Sequence, residues 1–240
     1  MDAERRLLIA CLDLTSLGEA DDDATVQALC ARGRLPVPGD PEMHVAAVCV
    51  WPRFVPRARR ALAGSGVRVA AATGGFPDAA GSLPLRLEEV ARAIEAGAEE
   101  VDVVVNRRLL AERHGLAEEL AATRATAVGV TWKSILETGA LTPEELTAAA
   151  RLAIDAGADF LKTSTGKGHP GATPAAVEAL AGEIAASGRP VGLKVSGGVR
   201  TAEAARRYLA IARDTLGAAW LDPARFRIGA SALLEDLLAG

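Results

Sequence analysis

The chain has 240 residues, half of them hydrophobic, with a formal net charge of −4 and only 3% aromatic residues. That is enough chain to bury a large core, and barrels of roughly 250 residues fold as one unit. The acidic balance and the shortage of rings argue against nucleic acid as a partner, and no window reaches the length of a membrane span. Three cysteines, Cys11, Cys30 and Cys49, show no CxxC spacing, and Met1 to Arg6 leads into an apolar run too short for a signal peptide. The expectation is a reduced, cytoplasmic protein. His44, His114 and His169 lie far apart, so no histidine-based metal site is expected.

The elements follow in order. Leu7 to Leu14 reads as a first strand and Asp23 to Arg32 as a helix. Val45 to Trp51 is followed by helical spacing over Pro56 to Ala63, Val67 to Thr73 by Leu87 to Ala96, and Val101 to Val105 by Arg107 to Ala122. Val128 to Leu136 precedes Pro143 to Ala156, and Asp159 to Thr165 precedes Pro174 to Ala186. Val191 to Ser196 precedes Thr201 to Leu216, and Phe226 to Ser231 precedes Ser231 to Leu238. Pro143 and Pro174 each follow a threonine, which suits an N-cap with proline at the first helical position. Gly97, Gly157 and Gly188 fall where helices should stop. Strand and helix alternate eight times. The pattern predicts an α/β fold, a (β/α)8 TIM barrel spanning 1–240 as one domain, with a doubly wound open sheet as the alternative.

Of the 27 basic residues only Lys133, Lys162, Lys167 and Lys194 are lysine; the rest are arginine. Arginine keeps its proton in proteins, whereas a buried lysine can lose it and attack a carbonyl. The four lysines are therefore candidates for amine chemistry, and all fall in or just after strand-like runs. A packed strand that contains Lys162 needs a reason for the ammonium group: either a salt bridge at a strand end or a neutral amine. Asp13, Cys49, Asp102, Lys133, Lys162 and Lys194 sit on six different runs. In a barrel such side chains converge inside, near the C-terminal mouth.

Three glycine-bearing loops complete the pattern. They are Thr163 to Gly168, Ser196 to Arg200, and Gly229 to Ser231. Exposed backbone N–H groups beside helix starts form an anion cup, and barrels often hold a phosphate after strands 7 and 8. Lys167 and Arg200 add positive charge. The stretch Gly166 to Gly171 matches GxGxxG on paper, but Pro170 and a weak downstream acid argue against a dinucleotide site. Cys49 has no histidine placed to activate it and reads as a small buried thiol lining the pocket.

Taken together, these segments resemble the deoxyribose-phosphate aldolases, class I aldolases of deoxynucleoside breakdown. The resemblance runs from about Leu7 to Leu238. It is carried by Leu12-Asp13-Leu14-Thr15, Val48 to Pro56, Glu100 to Val104, Lys133 to Gly139, Gly157 to Lys167, Gly192-Leu193-Lys194, Gly197 to Thr201 and Arg227 to Ser231. It implies that Lys162 forms the Schiff base, that Lys194 lowers its pKa and shuttles protons, and that Asp102 is the general acid/base, acting through a water. It assigns Asp13, Thr15, Cys49 and Thr165 to the sugar, with Asp13 holding either Lys194 or a substrate hydroxyl. Gly166, Lys167, Gly197, Gly198, Val199, Arg200, Gly229 and Ser231 would bind the phosphate. No cofactor or metal is implied. The partners implied are a phosphorylated sugar and acetaldehyde, and either a homodimer or a tetramer fits.

Some positions depart from the family pattern. Ala232 replaces a second serine of the phosphate cup, Val195-Ser196 follows the second lysine, and Thr73 to Ala79 is an altered loop. Gly240 stands without a tyrosine-ended tail. These changes bear on phosphate affinity and substrate range more than on the chemistry. Two rivals remain: another Schiff-base aldolase acting on a different phosphorylated sugar, and a non-catalytic barrel that binds phosphosugars.

Overall fold

Eight parallel strands close on themselves in the order β1 to β8, with β8 pairing back to β1, in a computed structural model that describes residues 1–239. The chain end at Gly240 lies outside the described residues. The strands are β1 (Leu12–Thr15), β2 (Ala47–Val50), β3 (Arg68–Thr73), β4 (Glu100–Val104), β5 (Thr131–Ile135), β6 (Phe160–Lys162), β7 (Gly192–Ser196) and β8 (Phe226–Ala230). The helices are α1 (Ala3–Ala10), α2 (Asp23–Arg34), α3 (Val55–Ala61), α4 (Leu83–Glu95), α5 (Arg113–Thr126), α6 (Pro143–Asp155), α7 (Pro174–Ser187), α8 (Ala202–Leu216) and α9 (Leu233–Ala239). The closed (β/α)8 barrel replaces the open-sheet alternative. Among the described residues no helix is long and apolar enough to cross a membrane.

Two elements divide where the sequence reads as one. The first apolar run divides: Leu7, Leu8 and Ile9 belong to α1, and β1 begins only at Leu12. The Asp2 carboxylate caps α1 by accepting the Arg5 N–H at 2.7 Å, so a helix start is written just upstream of residues that otherwise read as strand. The expected helix over 107–122 also divides, into a single 3-10 turn at Arg107–Leu109 and then α5. Asn106 organises that turn by accepting the Arg108 N–H at 3.3 Å.

The helix ends otherwise follow local chemistry. Thr142 and Glu145 form a reciprocal capping box at α6, and Thr173 caps α7. Gly97 and Gly157 have φ of +103° and +87°. After each, the next residue's N–H reaches back to a carbonyl five residues earlier, Ala98 to Ala93 and Ala158 to Ala153, both at 3.0 Å. The repeated Ala-Gly-Ala is thus the same left-handed helix stop used twice.

The strands are buried on both faces. Residues such as Leu12, Leu14, Val48, Val69, Val101, Val103, Leu193 and Val195 join the large core shared with the helices. Their alternate neighbours point into the barrel and carry most of its chemistry. The register sets Asp102 beside Lys133, Lys162 beside Lys194, and Lys194 beside Arg227. Gly192 makes room for this interior, because a Cβ there would lie 2.4 Å from the Phe160 ring.

Candidate active site

The barrel interior is a ladder of opposite charges. At its foot, Arg227 donates to Glu100 at 3.0 Å and to Asp13 at 2.6 Å. Lys133 is paired with Glu100 and lies 3.0 Å from Asp102 Oδ1 and 3.4 Å from Asp13. One level up, Lys194 Nζ lies 2.5 Å from Asp13 Oδ2 and 2.7 Å from Asp102 Oδ2. Lys162 Nζ reaches the same Asp102 oxygen, also at 2.7 Å. The two lysine nitrogens therefore converge on one carboxylate oxygen, and that oxygen belongs to the aspartate singled out in the sequence.

Isolated charges in so dry an interior would be very costly, and their mutual pairing is what makes them tolerable. Burial works against the ionised forms of Asp13 and Asp102. Lys133 and the other cations around them outweigh it and hold both carboxyls well below the usual carboxylate range. Burial likewise opposes the charges of Lys133 and Lys194. Asp102 and Asp13 outweigh it and keep both ammonium groups above the ordinary lysine value. Lys162 goes the other way. Burial lowers its pKa, Asp102 opposes the shift, the charge on Lys194 reinforces it, and the net change is downward. The difference lies in partners: Lys162 faces one carboxylate, Lys194 two and Lys133 three.

Lys133 is therefore corrected as a candidate for amine chemistry. It is fully buried, and Asp102, Asp13 and Glu100 around it favour its charged form, so it ties together the carboxylates of β1 and β4. Lys167, at the opposite extreme, is exposed on the loop after β6.

Above Lys162 a cavity of about 340 Å³ opens at the C-terminal mouth. Its lining brings together Lys162, Thr165, Gly166 and Lys167 from the β6 side, Gly197, Gly198, Val199 and Arg200 after β7, Gly229 and Ser231 from β8, and Thr15 from β1. Gly166, Gly197 and Gly198 have φ of +77°, +91° and +82°, the left-handed conformation that turns backbone N–H groups into a concave nest. Asp13, Cys49, Asp102 and Lys194 do not line the cavity; all four are fully buried beneath it. Asp13 accepts from Lys194, one of the two roles expected for it, and lies at the same depth beneath the cavity as Asp102. The Cys49 thiol, expected to line the pocket, lies 4.0 Å from Asp102 instead. Burial and then the Asp102 charge push its pKa up to about 11.

Several neighbours were not read from the sequence. Ser16, Leu17, Gly18 and Asp21 also line the cavity, together with Ser196 and Ala230 of the expected loops. Glu100 lies two residues before Asp102, and Arg227 two before Gly229, so strand alternation places each pair on one face. The strand expected at Val101 to Val105 began one residue too late to include Glu100. Glu137 is buried with φ of +57°, accepts the Thr165 hydroxyl and lies 3.3 Å from the Thr165 N–H, fixing the start of the β6 loop.

On the β1 to β5 side the mouth is apolar, with Leu17, Ala72, Phe76, Val104 and Ile135 packed together. Trp51 meets Phe76 edge-on at 5.6 Å. The altered loop after β3 is anchored from outside by buried Arg86, which donates to Gly74 O at 2.9 Å and Val104 O at 3.0 Å while forking onto Glu119. Among the described residues no group of three or more His, Cys, Asp or Glu side chains is placed to hold a metal ion.

The depressed pKa values of Asp13 and Asp102 have a consequence for stability. A carboxyl that is more acidic folded than unfolded contributes stability that is fully present above its unfolded pKa, about 3.9 for aspartate, and is lost as pH falls through the folded value. The urea midpoint should hold from neutral pH to about pH 5 and drop steeply by about pH 3. A midpoint unchanged over that range would mean that these aspartates titrate alike folded and unfolded.

The family model of the DeoC/LacD family aldolases matches residues 7–239. A structure from Coccidioides immitis with a provisional deoxyribose-phosphate aldolase assignment is 30% identical, with a TM-score of 0.83, over 96% of this chain and 85% of that one. A tetrameric deoxyribose phosphate aldolase from Aeropyrum pernix is 24% identical, with a TM-score of 0.79, over 100% and 98% of the two chains, and shares the fold. The barrel, the paired lysines at its mouth and a match over nearly every residue lead to one conclusion: this chain belongs to the DeoC/LacD family of aldolases.

Proposed function

We propose that this aldolase reversibly cleaves 2-deoxy-D-ribose 5-phosphate to D-glyceraldehyde 3-phosphate and acetaldehyde through a Schiff base on Lys162. The observation that carries the reading is the convergence of Lys162 and Lys194 on one oxygen of Asp102, with Lys162 the only one of the three that borders the cavity. Burial and the neighbouring Lys194 charge lower the Lys162 pKa, and a lysine shifted in that direction is the one best placed to attack as a free amine.

In this reading the open-chain sugar lies with its phosphate in the nest of Gly166, Gly197, Gly198 and Gly229. Lys167, Arg200 and Ser231 complete the cup, and Val199 contributes its backbone. Thr15 and Thr165 face the sugar between phosphate and amine. The Lys162 amine attacks C1 to form a carbinolamine, and loss of water gives the iminium. Asp102, from behind Lys162, takes up the C3 hydroxyl proton through a water as the C2–C3 bond breaks. The bonding electrons flow into the iminium and leave an enamine, and glyceraldehyde 3-phosphate departs. The proton taken up by Asp102 and its water returns to C2 of the enamine, and hydrolysis of the resulting iminium releases acetaldehyde and the free amine. Lys194 stays charged and keeps Asp102 ionised between steps.

The test is reduction with borohydride in the presence of acetaldehyde, followed by peptide mapping. The peptide that contains Lys162 should gain a two-carbon ethyl group. Labelling elsewhere, or none, would reject the Schiff-base assignment. Release of acetaldehyde from 2-deoxy-D-ribose 5-phosphate separates this substrate from other phosphorylated sugars.

A further inference from the structure

Seven ionisable side chains with formal charge share the barrel interior, and their numbers are unequal. Asp13, Glu100 and Asp102 are the carboxylates; Lys133, Lys162, Lys194 and Arg227 are the bases, and none of the seven is more than 4% exposed. With every base protonated the interior carries one excess positive charge. With Lys162 neutral it carries three of each sign. A net charge enclosed away from water is costly, so the arrangement favours the state in which one base gives up its proton. Lys162 is the base with the fewest carboxylate contacts and the only one of the four that borders the cavity.

We propose that Glu100 and Arg227, at the foot of the barrel and out of reach of any ligand in the cavity, are positioning residues whose opposite charges each feed into this balance, so that Lys162 stays a free amine only while the two are matched. For its functional meaning the proposal rests on the Schiff-base reading of Lys162. The coupling route is continuous. Arg227 Nη1 lies 2.6 Å from Asp13 Oδ1, the other oxygen of Asp13 lies 2.5 Å from Lys194, and Lys194 lies 2.7 Å from the Asp102 oxygen that Lys162 shares. Glu100 joins the same chain through Lys133, which also touches Asp102. Buried charges are little screened by salt, so a charge removed at the foot is felt at the mouth.

The surroundings of Lys162 are accounted for strand by strand. β1 contributes Asp13, β4 Glu100 and Asp102, β5 Lys133, β7 Lys194 and β8 Arg227. β2 contributes Cys49, whose thiol is pushed up to about 11 chiefly by burial and stays neutral at physiological pH. β3 contributes only Ala70 and Ala72 to the interior. Arg68 approaches Glu100 at 3.8 Å from below but is half exposed, so water screens it. On the mouth side Lys167, Arg200 and Asp21 line the cavity, where solvent reaches them.

Competitive labelling with acetic anhydride, without substrate, reads the test directly, because only the neutral amine acetylates and the Lys162 peptide can be weighed at each pH. Arg227→Gln removes a cation and should move the midpoint for Lys162 upward by roughly one to two pH units. Glu100→Gln removes an anion and should move it downward. The double variant Glu100→Gln/Arg227→Gln restores the balance and should return close to the wild-type value. If Arg227→Gln does not fold, Lys133→Gln takes a cation from the same network and must move the midpoint upward. Simple loosening of the barrel would drive every variant toward the ordinary lysine value, so a downward shift in Glu100→Gln is the signature of charge balance. Midpoints that stay put, or that move the same way in Glu100→Gln and in the cation-removing variants, overturn the proposal. The labelling is independent of turnover. Opposite shifts with no ethyl group trapped on Lys162 would keep the balance and reject the aldol chemistry, and trapping with immobile midpoints would do the reverse.

Discussion

Lys162→Leu should abolish turnover of 2-deoxy-D-ribose 5-phosphate, by at least about 10⁴-fold, while leaving the protein folded and no less stable. The loss of rate follows from the loss of the nucleophile, since no other amine borders the cavity at the barrel axis. Lys194 is fully buried below it, and Lys167 is out on the loop. The stability half is the less obvious one. Lys162 is a buried amine whose pKa is lowered, which means that the fold disfavours its charged form. Leucine fills similar space, removes that burden, and leaves Asp13, Glu100 and Asp102 matched by Lys133, Lys194 and Arg227. Lys162→Arg should lose turnover equally but behave differently in urea. Its guanidinium cannot shed the proton, so a fourth cation is forced into an interior with three carboxylates, at a cost of several kcal/mol. Steady-state kinetics and urea midpoints on the two variants check both halves. Residual turnover near wild type in either one would contradict the assignment, and equal midpoints would contradict the charge argument.

The contrast between these two variants also marks how far the residues could be read without coordinates. The barrel was legible because eight apolar runs are punctuated by helices with threonine caps and glycine stops, and each signal is local. Lys162, Lys194, Asp102 and Asp13 were legible because a charge inside an apolar strand has no packing explanation. The glycine loops were legible through their position after β6, β7 and β8. Depth along the barrel axis was not legible. Lys133 and Lys162 look alike in sequence, each a lysine in a buried strand, but the stagger between strands sets Lys133 among three carboxylates and Lys162 beside one. That stagger comes from closing the sheet, a property of all eight strands together. Glu100 and Arg227 were hidden for a related reason. Each sits at the first turn of its strand, where a charged residue ordinarily reads as a solvated edge. Only the closed barrel shows that they meet across its floor at 3.0 Å. The division of the first apolar run at Leu12 reflects a local competition, in which the Asp2 cap claims Leu7 to Ile9 for a helix.

Asp102→Asn should separate two steps that Lys162→Leu abolishes together. Asp102 accepts from three amines, Lys162 and Lys194 at 2.7 Å on one oxygen and Lys133 at 3.0 Å on the other. An asparagine offers one accepting oxygen and turns an N–H toward the remaining ammonium group. The interior then holds Asp13 and Glu100 against Lys133, Lys194 and Arg227, so stability should fall by about 3–5 kcal/mol, the usual cost of removing one partner from a buried ionic cluster. The same imbalance deepens the pressure on Lys162 to remain neutral. Its amine should therefore still condense with acetaldehyde, and borohydride should still trap an ethyl group on it. Cleavage of the C2–C3 bond requires a base for the C3 hydroxyl proton, and that step should slow by about 10²–10⁴-fold, the ordinary worth of a general base. The variant is thus expected to trap and not to cleave. Near-normal cleavage in Asp102→Asn would remove Asp102 from the proton path. Loss of trapping to the level of Lys162→Leu would mean that Asp102 serves chiefly to hold the amine in place, because among the described residues Asp102, at 2.7 Å, is the one acceptor for Lys162.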